Sequence, residues 1–83
     1  MDGYFIFIVS GPGAQGLRTG LTRDLQLRSR CTFAAERLLY FELCQDEELA
    51  LRRERQLRRW NRSRRERLVS TMNPLWHDLR SLW

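Results

Sequence analysis

From Glu36 to Met72 the chain carries neither glycine nor proline. Wound at the helical repeat, Leu38, Leu39, Leu43, Leu49, Ala50, Leu57, Trp60, Leu68 and Met72 fall inside one arc of about 160°. Arg37, Arg52, Arg55, Arg58, Arg59, Arg62 and Arg65 fall on the other side, while Arg53, Arg64 and Arg67 intrude on the apolar stripe. The pattern predicts one amphipathic helix over residues 32–73, with Thr32 as its N-cap and Phe33-Ala34-Ala35 in its first turn. Such a rod would be about 60 Å long. Pro74 should end it at or before Asn73. Leu75, Trp76, Leu79, Leu82 and Trp83 then recur at helical spacing, which predicts a short C-terminal helix over residues 74–83.

Upstream, Tyr4 to Val9 is an unbroken apolar run of aromatic and β-branched residues, bounded by Gly3 and by Ser10-Gly11-Pro12-Gly13. That composition predicts a short strand. The run is far shorter than the roughly 20 residues of a membrane-spanning helix. It also follows Asp2, where a signal peptide would have basic residues. A second strand is not evident, so its edges would have to pair with another chain. Residues 1–31 thus read as a strand, a Gly/Pro turn and a flexible or weakly helical segment. The fold class expected is mainly α: one long arginine-rich helix, a short C-terminal helix, and an N-terminal strand or disordered segment.

Gly11-Pro12-Gly13-Ala14-Gln15-Gly16 fits G-x-G-x-x-G directly after the strand, with Leu17, Leu21 and Leu25 at helical spacing beyond it and Glu36 twenty positions after Gly16. In this it resembles the opening of flavin- and nicotinamide-binding Rossmann domains, which implies a pyrophosphate at a helix N-terminus. The same loop is not a working P-loop, because Leu17 and Arg18 stand where Lys and Ser/Thr are needed. A lone glycine pattern is more simply a turn.

Charge sharpens the picture. All fifteen basic residues are Arg and none is Lys, with a formal net charge of +5. Residues 36–48 sum to −4 and residues 49–67 to +7. Guanidinium forks suit phosphates and carboxylates, although a GC-rich or overlapping reading frame would produce the same composition. A chain of this size buries only about 60% of its unfolded surface, so a deep enzyme cleft is not expected. Cys31 and Cys44 would stand about 20 Å apart on one helix, too far for a disulfide. With a single histidine, His77, they form no metal-ligand spacing. No catalytic residue, metal or cofactor is therefore assigned.

The candidate nucleic-acid contacts are Arg52, Arg55, Arg58, Arg59, Arg62 and Arg65, which could lie along a groove, with Trp60 either stacking on a base or packing beside Leu57. The candidate partner-binding residues are Leu39, Leu43, Leu57, Trp60, Trp76 and Leu79; Met72, Trp76 and Leu79 have the spacing of helix-in-groove anchors. Arg65-Glu66-Arg67 followed by Met72 to Leu82 resembles the basic region and first helix of basic helix-loop-helix DNA-binding proteins. That likeness implies base reading by Glu66 and phosphate contacts by Arg65 and Arg67. Pro74 interrupts the helix it requires, the basic stretch is out of register by about one residue, and no loop or second helix follows.

The function expected is a small non-enzymatic protein that binds nucleic acid, RNA in preference to DNA, and self-associates through its leucine stripe. The partner could also be an acidic protein surface. The alternative is a helical interaction subunit or assembly factor that docks its Leu/Trp face on a larger complex. An intracellular location, nucleus or cytoplasm, goes with the first reading. A mitochondrial one is the alternative, because residues 17–31 are Arg-rich and acid-poor like a transit segment.

Overall fold

The computed structural model describes residues 3–11, 16–31 and 36–82. Its centre is the predicted strand, β1 (Tyr4–Ser10), flanked on both sides by strands of the same chain. β2 (Leu17–Thr22) and β3 (Arg37–Cys44) each pair antiparallel with β1, in the order β2-β1-β3. The partner that the sequence left to another molecule is therefore internal. Between β2 and β3 lies α1 (Leu25–Cys31); after β3 come α2 (Glu47–Arg59), α3 (Arg62–Met72) and a 3₁₀ turn, Leu79–Leu82.

The mainly α expectation is overturned: the fold is mixed, with a three-stranded antiparallel sheet carrying two main helices. The expected rod is three elements, β3, α2 and α3. Its 60 Å length could not fit a molecule whose longest extent is 32 Å. The physical reason lies at Leu38-Leu39-Tyr40, three successive residues that are all buried. A helix offers one buried face, whereas a strand between two packing layers buries both. Pairing with β1 shifts register at this point, with Ile8 opposite Tyr40 and Val9 opposite Leu38. Leu39 is the extra residue, a β-bulge that leaves Leu39 and Tyr40 in one layer and Leu38 in the other.

One layer lies between the sheet and the helices. Ile6 packs with Ala50 and Leu57 of α2, and Ile8 with Leu17, Leu39, Tyr40 and Val69 of α3. The other layer joins Phe7, Val9 and Leu38 to Leu25 of α1 and Leu79, with Phe5 and Phe41 partly buried beside it. Phe5 and Phe41 meet edge to face at 6.2 Å.

Caps divide the helical half. Asp46 starts α2 by accepting a hydrogen bond from the Leu49 N–H at 2.9 Å, with Glu47 and Glu48 in the first turn and Arg58 and Arg59 in the last. All four side chains suit the helix dipole. Trp60 and Asn61 are extended, and Asn61 Oδ1 accepts from the Arg64 N–H at 2.9 Å to begin α3. The proposed N-cap at Thr32 lies outside the described residues.

Pro74 does stop a helix, for α3 ends at Met72, but the short C-terminal helix over 74–83 is replaced by a turn and one 3₁₀ segment. Asn73 is buried and holds that turn: its Nδ2 donates to the Leu39 and His77 carbonyls at 3.1 and 2.8 Å, and its Oδ1 accepts from the His77 N–H at 3.0 Å. Trp76 has φ of +56°, a left-handed conformation that is uncommon outside glycine. Asp78 then accepts from the Leu38 N–H at 3.2 Å, and Arg80 donates to the Glu36 carbonyl, so the tail is fastened along the start of β3. The Arg80 guanidinium beside Asp78 holds its carboxyl below the usual carboxylate range.

Candidate nucleic-acid interface

The arginines predicted to meet nucleic acid sit on two short helices. Arg52, Arg55 and Arg59 share one face of α2, with Arg58 on its flank; Arg62 and Arg65 belong to α3. All are exposed except Arg65, which is half-buried. With Leu49, Arg53, Gln56 and Trp60, the first three line a shallow open groove of about 790 Å³ along α2.

Their contacts separate them. Arg52 pairs with Glu48 at 3.0 Å and Arg62 with Glu66 at 2.9 Å. Both are exposed pairs one helical turn apart, worth only a few tenths of a kcal/mol, so a phosphate can compete for either arginine. Arg58 is held differently, because its partner Glu54 is buried. Removing Arg58 from Glu54 would leave a buried carboxylate without its cation, a costly exchange. Arg65 reaches across to β2 and donates from a terminal nitrogen to the Leu17 carbonyl at 3.1 Å, while its Nε is buried without a hydrogen bond. Arg65 is therefore a tether between layers. Arg55 donates from Nε to the Leu51 carbonyl at 3.4 Å, and among the described residues Arg55, Arg59, Arg64 and Arg67 form no ion pair.

Arg53 and Arg64, two of the arginines that intruded on the apolar stripe, converge on Trp60. Their guanidinium carbons lie 5.4 and 4.1 Å from its ring. Arg53 is fixed from behind: its Nε donates to Glu42 at 2.7 Å, and a terminal nitrogen donates to Gln56 at 2.7 Å. Glu42 also accepts from the Tyr40 hydroxyl, and burial together with that hydrogen bond pushes the Tyr40 phenol up to about 12. The sequence did not mark Arg53 and Arg64 as binding residues; their position on the Trp60 side of the helical wheel was the available signal.

The predicted partner-binding residues do not form a surface. Leu39, Leu57 and Leu79 are buried at 1, 0 and 8% exposure, Trp60 and Trp76 are half-buried, and only Leu43 of the six stands exposed. The Trp76 indole donates to the Ser70 hydroxyl at 3.1 Å and packs on the Ile8 cluster. The expected continuous Leu/Trp face is thus broken up: Leu39, Leu57 and Leu79 lie inside the fold, while Leu43, Leu49 and Met72 of the stripe remain exposed.

The glycine loop is also reassigned. Residues 12–15 lie outside the described set, but the loop connects β1 to β2, and the Gly11 N–H donates to the Gly16 carbonyl at 3.3 Å. A strand follows it, so it lacks the helix N-terminus that a dinucleotide site needs. The basic helix-loop-helix likeness fails for a related reason: α3 ends at Met72, and Glu66 is paired with Arg62. Among the described residues no group of three or more His, Cys, Asp or Glu is placed to hold a metal, and no helix is long and apolar enough to cross a membrane. Cys44 is a free, half-buried thiol at the end of β3.

No protein-family model matches this chain, and neither a curated protein nor a solved structure matches it.

Proposed function

We propose that this is a small non-enzymatic protein that binds RNA through the exposed arginines of α2 and α3. The observation that carries the reading is a partition: Leu38, Leu39 and Leu57 of the stripe are buried in the core, while Arg52, Arg55, Arg59, Arg62, Arg64 and Arg67 remain exposed outside it. Cations left exposed in such numbers on adjoining helices favour a polyanion. The competing role of an assembly factor loses support, because Leu39, Leu57 and Leu79 are no longer available to dock. Arg58 and Arg65 leave the set of contacts, and Arg64 and Arg67 enter it.

The test is titration of a labelled single-stranded RNA at several salt concentrations. About five neutralised phosphates predict a log-log slope of roughly −3 to −4. Reversing Arg55, Arg59 and Arg67 together to Glu, at exposed positions that leave the circular dichroism spectrum unchanged, should remove most of the affinity. Salt-insensitive binding, or a triple variant that binds as tightly as the parent, would overturn the proposal. Equal binding to polyglutamate of matched charge would replace RNA by an acidic protein surface.

A further inference from the structure

The junction between α2 and α3 is where the arginine surface has more than charge to offer. The extended Trp60-Asn61 step puts Arg64 in the first turn of α3, its backbone pinned by the Asn61 side chain. Trp60 is half-buried, packed against the cluster formed by Ile6, Ala50 and Leu57. Arg53, anchored on Glu42 and Gln56, holds the indole on the α2 side. Arg64 lies 4.1 Å from the same ring, is exposed, and among the described residues has no acidic partner. The result is a planar cation on a fixed aromatic ring, beside a groove that carries Arg55 and Arg59.

From this juxtaposition we infer that the Arg64–Trp60 pair is a stacking platform for an unpaired base, so that the protein selects single-stranded over duplex RNA. The inference rests on the RNA-binding reading above and names the form of RNA that its surface takes. A guanidinium stacked on an indole is a weakly hydrated planar surface, and nucleobases stack on such planes as they do on aromatic rings. A single strand offers its base faces, whereas a duplex hides them between neighbouring pairs and must pay to expose one. Phosphates flanking the stacked base can then be taken by Arg59 and Arg55, which stand one helical turn apart. Ordinary surface arginines neutralise phosphate equally well on either form, so the preference is specific to the platform.

The experiment uses the full chain and three probes with equal numbers of phosphates: a short oligoadenylate, an RNA duplex, and a strand of abasic residues. The parent protein should favour oligoadenylate over both others. Arg64→Lys keeps the charge and removes the plane, so the ratio of single-strand to duplex affinity should fall about fivefold or more. Arg59→Ala should weaken all three probes together and leave that ratio intact. In the parent, the Trp60 indole N–H resonance should move with oligoadenylate and stay in place with the abasic strand. If the Lys variant retains the parent ratio, or the abasic strand binds as well as oligoadenylate, the platform is overturned while the arginine surface stands. Absence of salt-dependent binding to any probe would remove both.

Discussion

Tyr40 shows how far one side chain's role depends on residues distant in sequence. Its hydroxyl donates to Glu42, which Arg53 grips from α2, and the phenol is pushed up from 10.0 to about 12 by burial and then by that hydrogen bond. The folded state therefore holds this proton more tightly than the unfolded chain does. Stability linked to Tyr40 is fully present below pH 10 and is lost as the pH rises toward about 12. In a Tyr40→Phe variant the alkaline decline should be shallower through that window, read as urea midpoints at successive pH values. Parallel declines in the two proteins would refute the linkage. The arginines carry the same lesson. On a helical wheel Arg58, Arg59 and Arg65 look alike. Glu54 and Leu17 make Arg58 a buried acid's counter-ion and Arg65 a tether, while Arg59 stays exposed. Those distinctions come from tertiary contacts, which periodicity does not encode.

Among the elements, β1 was legible because everything that defines it is local: an apolar, β-branched run closed by glycines. β2, reading LRTGLT, has no such signature and becomes a strand by pairing with β1. Gly20 of β2 is a packing requirement. It lies opposite Phe7, and a Cβ there would come within 2.3 Å of the Phe7 ring, which is itself only 2% exposed. Gly20→Ala should cost about 1–3 kcal/mol of stability through overpacking, measurable by urea denaturation; unchanged stability would mean that the ring can swing away. For residues 36–44 the leucines satisfy a helical arc and a buried strand equally well, and helix won on length. The decisive local signals were Asp46 with Glu47 and Glu48 behind it, and Asn61 after Trp60, both good N-caps. Treating them as helix starts divides the rod where the structure does.

At the scale of the whole molecule, the sheet is what makes the cationic half helical. α2 has 13 residues and α3 has 11, lengths at which isolated helices are marginal in water. Their stability must come from Ala50, Leu57 and Val69 packed on Ile6 and Ile8, since nine arginines against two glutamates over residues 49–67 repel one another. A peptide of residues 46–72 should therefore be mostly coil in plain buffer by circular dichroism, although the same residues are mainly helical in the full chain. If the peptide were as helical alone, the helices would be self-supporting and the sheet incidental to them. The consequence reaches function. A coil with the same arginines keeps its attraction for polyanions, because counterion release needs charge rather than geometry. It loses the clamp on Trp60, since Glu42 is left behind on β3. The peptide should then bind oligoadenylate and duplex with similar affinity and a salt slope near that of the intact protein. A preference for single strands that survives in the peptide would show that the platform assembles without the fold.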